Sequence, residues 1–200
     1  LDYMETLGWL GQDVWFAHGI HFTEQELGKL AATGTGVAHC PVSNQKLSSG
    51  IAKIPQMLKL GVPVGLAVDG SASNDCSNLL AEVRAAYLLH RVNSSAEAPS
   101  GYEVLKLATL GGARILGRDD IGSIEVGKAA DLFMLNTNRL EYVGARFDPK
   151  SLLGTVGVSR PVDYTIVNGR IVVKDGELCS IDEHTIEKEA EKLVYMLVHR

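Results

Sequence analysis

The sequence predicts an α/β protein in which a parallel sheet covered by helices is followed by a smaller unit rich in β-strands. Two observations carry this prediction. From residue 14 to residue 68, short apolar runs alternate with helical segments, which is the pattern of βαβ units and implies parallel strands. After Gly117 the segments become short and rich in turns, and an Asn-Gly pair separates two apolar runs.

Three apolar runs are the predicted strands of the parallel sheet. They are residues 14–17, 36–38 and 64–68. Each run is almost continuously apolar, as expected of strands that are buried on both faces. The runs end at side chains that can titrate or bind a metal, respectively His18, His39 and Asp69.

Capping boxes predict where two helices begin. Thr-Glu-Gln-Glu at residues 23–26 begins a helix that should end near residue 33, and Ser-Gly-Tyr-Glu at residues 100–103 begins one that should end near residue 111. Between them, apolar residues recur at helical spacing over residues 78–91. The first part of the chain therefore has helices where a barrel or an open sheet needs them.

The second, β-rich part of the chain contains a hairpin. Residues 131–135 read as a strand, and residues 163–167 and 170–174 read as two more. Asn168 and Gly169 join the latter two in the order that a two-residue type I′ turn prefers, because both central residues need positive φ. The chain closes with an amphipathic helix predicted over residues 183–199.

The composition limits the classes of partner. The 200 residues are 46% hydrophobic and 22% charged, with a net charge of -5 and no Lys/Arg cluster, so neither nucleic acid nor a membrane surface is an expected partner. No run approaches the roughly 18 apolar residues of a membrane span. Three cysteines without a CxxC pattern argue against a disulfide framework and favour a cytoplasmic location.

The strand ends are where chemistry is expected. In parallel βα architectures the loops at the carboxyl ends of the strands converge on one rim, so His18, His39 and Asp69 should point toward a common region. Imidazole nitrogens and a carboxylate suit a divalent metal such as zinc or iron, which would lower the pKa of a water toward neutrality. Such a water is a nucleophile for hydrolysis.

Four ordered motifs carry a resemblance to a known family. They are AHGIH at residues 17–21, AHCPVSN at residues 38–44, VDGS at residues 68–71 and GSIEVGKAADL at residues 122–132. Over about residues 1 to 175, the chain resembles the carboxyl-terminal half of the amidohydrolase superfamily, in its chlorohydrolase and deaminase branch. Residues 68–75 are most similar to the 8-oxoguanine deaminases.

The resemblance implies a fold and a division into domains. Residues 1–120 would be strands six to eight of a (β/α)8 TIM-type barrel with their helices. Residues 121–178 would form part of a small β-sandwich domain, and residues 179–200 a carboxyl-terminal helix. The amino-terminal half of the barrel would be required to complete the fold, because a half barrel leaves a strand edge unpaired.

The resemblance also implies roles for two residues. His18 would end strand six and contact the metal-bound water or the substrate, while Asp69 would end strand eight, bind one zinc or iron ion and relay a proton. The family's remaining ligands, a His-x-His pair and a strand-five His with its neighbouring Glu, should lie before residue 1. Their absence matters, since a catalytic zinc usually takes three protein ligands.

Purely structural roles for these side chains remain open on the sequence alone. Asp69 could be a turn residue, and His18 a core histidine. His39 is balanced between substrate contact and packing. Ser71 and Asn74 could orient substrate groups or cap the following helix.

The resemblance implies hydrolytic deamination of a purine-like heterocycle, with 8-oxoguanine preferred, by attack of water and release of ammonia. A triazine, guanine or an adenosine derivative is the alternative substrate on the same scaffold. A hypothesis of another class is an inactive fragment or structural partner that assembles through an exposed strand edge. The family resemblance leaves homo-oligomerisation open.

Overall fold

The computed structural model describes residues 1–199 and contains two compact units. The first unit comprises residues 1–128 and 137–159, and the second comprises residues 129–136 and those from 160 onward. Within residues 1–199, no helix combines the length and the apolar character needed to cross a membrane.

A three-stranded parallel sheet lies in the first unit. Its strands, in spatial order, are β1 (Trp15–Ala17), β2 (Gly36–His39) and β3 (Val64–Leu66). β2 is central, with Ala38 opposite Ala17 on one side and His39 opposite Leu66 on the other. β2 and β3 are buried throughout, whereas β1 is partly exposed. The predicted α/β fold with a parallel sheet is confirmed, and the described residues form no closed barrel.

The first unit also contains helices that precede, separate and follow these strands along the chain. They are α1 (Asp2–Thr6), α2 (Glu24–Thr33), α3 (Pro41–Lys46), α4 (Ile54–Leu60), α5 (Leu79–Ser94), α6 (Gly101–Lys106), α7 (Gly112–Ile115) and α8 (Leu152–Thr155). Short 3-10 turns occur at Ser95–Glu97, Leu140–Tyr142 and Ala145–Phe147. The sequence did not predict α3 and α4, because helices of one to two turns are too short to show an amphipathic period.

Helix α2 begins and ends as its sequence requires. Thr23 and Glu26 form both hydrogen bonds of a capping box, and Gly34 ends the helix in the left-handed conformation with φ 73°. The face toward the core carries Leu27 and Leu30, which are both fully buried. Burial of a leucine side chain contributes about 1.5–3 kcal/mol, so this face stabilises the packing of α2 in the first unit.

The helix that begins at α6 continues past its predicted end. A π-helical turn, Leu107–Gly111, joins α6 to α7, so the prediction that it ends near residue 111 is wrong. Glycine is needed here because this turn packs directly against β3. A Cβ atom built on Gly111 would lie 2.1 Å from the carbonyl oxygen of Val64. The glycine therefore marks a close approach of helix and strand.

The second unit contains an antiparallel sheet in the order β4 (Leu132–Met134), β5 (Tyr164–Val167), β6 (Arg170–Lys174) and β7 (Glu177–Leu178). Asn168 and Gly169 have φ of 47° and 76°, as a type I′ turn requires, so the predicted hairpin is confirmed. The closing helix α9 (Glu183–Val198) is confirmed as well.

Two neighbouring glycines provide a test of the close approach. Gly111→Ala should lower the free energy of unfolding by about 1–3 kcal/mol, because the new methyl group overlaps the β3 backbone. Gly112→Ala is the control, since its Cβ would meet nothing within 4 Å and alanine favours a helix by about 1 kcal/mol over glycine. Urea unfolding measures both. Equal stability of the two variants would contradict the proposed packing.

Candidate metal and proton-transfer site

His18 is the first residue after β1, and the chain makes a tight turn at this residue. The Gly19 amide donates to the Ala17 carbonyl oxygen at 2.8 Å, which makes His18 the central residue of a three-residue turn with φ 65°. The left-handed region is costly for a non-glycine residue. Such backbone strain at a strand end is often found at functional sites, and here it directs an imidazole toward the loop after β3.

Asp69 has the matching position three residues beyond β3. Its φ is 66°, again in the left-handed region. The Asp69 Oδ2 atom lies 3.8 Å from His18 Nε2, and 30% and 36% of the two side chains are exposed. The structure therefore brings together the two residues for which the family resemblance implies catalytic roles, at a place that solvent reaches.

The Asp69 carboxylate is held in its ionised form. Its Oδ2 atom accepts hydrogen bonds from Ser43 Oγ at 2.6 Å and Ser73 Oγ at 2.7 Å. These two bonds, followed by one from the Gly70 amide, lower the pKa of Asp69 from 3.8 to about 2. Hydrogen bonds to the charged form favour it, so Asp69 is available as an anionic ligand at any neutral pH.

His18 is held from its other side by a buried amide. The Nδ1 atom lies 2.8 Å from Asn44 Oδ1, and Asn44 is 1% exposed. Asn44 and Ser43 are adjacent in α3, so one short helix contacts both His18 and Asp69. Buried side chains of α3 thus form the inner side of the site.

The other three candidates lie in different surroundings. His39 is fully buried, and its Nε2 atom is 3.1 Å from Nε2 of His90 in α5. Asn74 is fully buried and donates to the Val68 carbonyl oxygen at 2.8 Å and to Glu82 at 2.5 Å. Ser71 is exposed in the loop after Asp69. The contacts of His39 and Asn74 are therefore structural, and their assignment to substrate stays a prediction.

A sequence profile of the amidohydrolase family matches residues 1–172. The chain belongs to the amidohydrolase family. It is 45% identical, over 100% of its length, to 42% of a hydroxydechloroatrazine ethylaminohydrolase from Pseudomonas sp. (strain ADP). It is also 43% identical, over 91% of its length, to 40% of an 8-oxoguanine deaminase from Pseudomonas aeruginosa.

Solved structures agree with this assignment. An atrazine chlorohydrolase from Arthrobacter aurescens TC1 complexed with zinc matches 96% of the chain with a TM-score of 0.91 and 33% identity, over 43% of its own length. An adenosine deaminase from Xanthomonas campestris with bound zinc matches 100% of the chain with a TM-score of 0.93 and 31% identity, over 46% of its own length. The chain thus spans less than half the length of these relatives.

The amidohydrolase chain fits one side of a zinc site. Ionised Asp69 is a suitable oxygen ligand, and His18 presents an imidazole nitrogen 3.8 Å away. Among residues 1–199, no group of three or more His, Cys, Asp and Glu side chains could hold an ion. Cys40 adds nothing to the donor set, because burial, the largest cause, raises the pKa of its thiol to about 11. Further ligands are needed beyond the described residues.

Sequence reasoning missed several polar residues of the amidohydrolase site. Ser43 and Ser73 were not singled out, although Ser43 lies inside one of the four motifs. Glu82 and His90 are buried in α5. Their signal was two polar residues eight positions apart on a helix face that is otherwise apolar. Nothing in the local sequence indicates which groups they contact.

The buried histidine pair predicts how stability depends on pH. Burial, chiefly, lowers the pKa of His39 from 6.5 to about 3 and that of His90 to about 4. Because the folded-state values lie below the unfolded ones, the pair stabilises the fold fully above pH 6.5, and this contribution is lost as pH falls toward 4 and 3. The free energy of unfolding should therefore fall as the pH is lowered from about 6.5 toward about 4.

The variant His90→Gln isolates this effect, because glutamine can still contact His39 and does not titrate. Its free energy of unfolding should depend less steeply on pH than that of the unaltered protein. His184→Gln is the matched control, since the His184 side chain is 70% exposed. An unchanged slope in His90→Gln would contradict the assignment.

Proposed function

We propose that the protein carrying this chain is a metal-dependent hydrolase that removes an amino group from a purine-like heterocycle, with 8-oxoguanine as the preferred substrate. The observation that carries the proposal is the pairing of His18 Nε2 and Asp69 Oδ2, 3.8 Å apart, at an exposed mouth where two parallel strands end. The family assignment and the activities of the two relatives support it.

Asp69 handles the proton in this proposal. A divalent metal, when bound, lowers the pKa of a water toward neutrality. Asp69 is one ligand, and its carboxylate takes a proton from the water as the water oxygen bonds to the ring carbon. The carboxylate then gives that proton to the amino nitrogen, the C–N bond breaks, and ammonia leaves. The proton taken from water is thus the one delivered to the leaving group.

His18 orients the attacking water. Its Nε2 atom faces Asp69 at a distance too long for a direct hydrogen bond but short enough for one water molecule to contact both. A water held between an imidazole and a carboxylate has a fixed direction, and such fixed geometry lowers the barrier to attack. His39, Ser71 and Asn74 are retained as proposed contacts on the substrate side.

We further propose the architecture that completes the site. Residues 1–120 are taken as strands six to eight of a (β/α)8 barrel, residues 121–178 as part of a β-sandwich domain, and residues 179–200 as a terminal helix. The remaining ligands then belong to the amino-terminal half of the barrel. Zinc is preferred over iron, because two structural relatives hold zinc.

Removal of the Asp69 carboxylate tests its role. Asp69→Asn should lower the metal content and slow ammonia release by at least about 10²-fold to 10⁴-fold, the usual contribution of a general acid and base. Asp75→Asn is the control, because Asp75 lies six residues away with a side chain that is 79% exposed. Metal analysis and an ammonia assay measure both variants. Full activity in Asp69→Asn would refute the assignment.

The substrate is tested by comparing 8-oxoguanine, guanine and hydroxyatrazine as substrates of the purified protein. We expect the highest kcat/KM for 8-oxoguanine. The hydroxydechloroatrazine relative is the observation that favours a triazine as the alternative, and fastest release of the alkylamine from hydroxyatrazine would establish it. Failure of all three would remove the deaminase proposal, and a well-folded, metal-free protein would then favour a structural role.

A further inference from the structure

Helix α3 places two adjacent buried side chains against the two proposed reacting groups. Ser43 is fully buried and donates to Asp69 Oδ2 at 2.6 Å. Asn44 is 1% exposed, and its Oδ1 atom lies 2.8 Å from His18 Nδ1. The proposed function uses the opposite nitrogen of the His18 ring, Nε2. The hydrogen bond between Asn44 and Nδ1 therefore decides whether Nε2 acts as a hydrogen-bond donor or acceptor.

We propose that Asn44 is a positioning residue that fixes the tautomer of His18. The side-chain carbonyl oxygen of Asn44 accepts a hydrogen bond from Nδ1–H of His18. The ring proton therefore stays on Nδ1, and Nε2 keeps a free lone pair. In neutral imidazole one nitrogen is a donor and the other an acceptor, and the partner of one nitrogen sets the role of the other. The catalytic effect of this tautomer rests on the proposed function, whereas the position of the ring proton can be measured without it.

This tautomer suits the geometry on the Nε2 side. Asp69 Oδ2 already accepts two hydroxyl hydrogen bonds and lies 3.8 Å from Nε2, beyond hydrogen-bond distance. With a free lone pair on Nε2, a water between them donates one hydrogen to His18 and the other to Asp69. Neither lone pair of the water oxygen is then occupied by a hydrogen bond from His18. With a proton on Nε2, the imidazole would donate to that oxygen and occupy one of them.

Two further observations support a specific role for Asn44. Its Nδ2 atom is buried without a hydrogen-bond partner among the described residues. A buried donor left unsatisfied costs about 1–3 kcal/mol, so a residue kept at this position needs a reason other than stability. His18 also lies in a left-handed turn, a conformation that persists only where surrounding contacts hold it, and the hydrogen bond with Asn44 is such a contact.

The tautomer can be measured directly in protein labelled with 15N histidine. Long-range 1H–15N spectra at neutral pH identify the protonated ring nitrogen, and His18→Gln assigns the His18 signals. We expect the proton on Nδ1. Asn44→Asp keeps an oxygen acceptor and should keep this tautomer, whereas Asn44→Leu removes the acceptor and should shift the proton toward Nε2.

Activity provides a second measurement. Asn44→Leu should reduce kcat by about 10-fold to 100-fold, as loss of an outer partner of a site does, with a smaller change in KM. Asn44→Asp should restore part of the loss. Gln45→Leu is the control, because Gln45 is the next residue of α3, is exposed and hydrogen-bonds only to the Pro41 carbonyl oxygen among the side-chain bonds found within residues 1–199.

Each outcome separates the inference from the proposed function. A proton on Nε2 in the unaltered protein overturns the inference, and so does an unchanged tautomer in Asn44→Leu. Thermal unfolding of each variant identifies a folding defect, and for a variant that fails to fold, the spectrum of the unaltered protein still decides. The spectra require no turnover, so absence of ammonia release would remove the proposed function and leave the tautomer result standing.

Discussion

The parallel pairing of β2 with both of its neighbours is the constraint on which the site depends. The Ala38 carbonyl oxygen accepts the His18 amide at 2.8 Å, and the His39 carbonyl oxygen accepts the Ala67 amide at 2.9 Å. Because Ala38 and His39 are adjacent in β2, these two bonds hold the chain after β1 and the chain after β3 beside the same end of β2. A shift of one residue in either register would turn the side chains of that strand to the opposite face.

The sequence predicted the elements that local patterns specify. Strand-end residues, capping boxes and the Asn-Gly turn are local signals, and His18 and Asp69 were found from them. The pairing of Ser43 with Asp69 and of Asn44 with His18 joins residues 26 positions apart, and that of His39 with His90 joins residues 51 apart. No local pattern carries such information, because it depends on which elements pack together.

His39 shows that a strand-end position does not determine the direction of a side chain. In the sequence, His39 ends an apolar run just as His18 does. In the structure His39 is still paired with Leu66, so the pleat of β2 directs its side chain into the core. His18 and Asp69 lie beyond the paired residues, and their left-handed backbones free them from that alternation.

The buried carboxylate of Glu82 connects helix α3 to the loop that carries Asp69. Glu82 Oε2 accepts the Val42 amide at 3.1 Å, next to Ser43, while Oε1 accepts from Asn74, which also holds the Val68 carbonyl oxygen before Asp69. Burial, as the largest cause, raises the pKa of Glu82 to about 6, so at neutral pH it is a buried anion kept at a cost in stability. That cost is offset by the two donors, and the same two hydrogen bonds fix α3 relative to the Asp69 loop. Glu82 therefore links, from within the core, the helix that contacts His18 to the loop that carries Asp69, although it hydrogen-bonds to neither of these two residues.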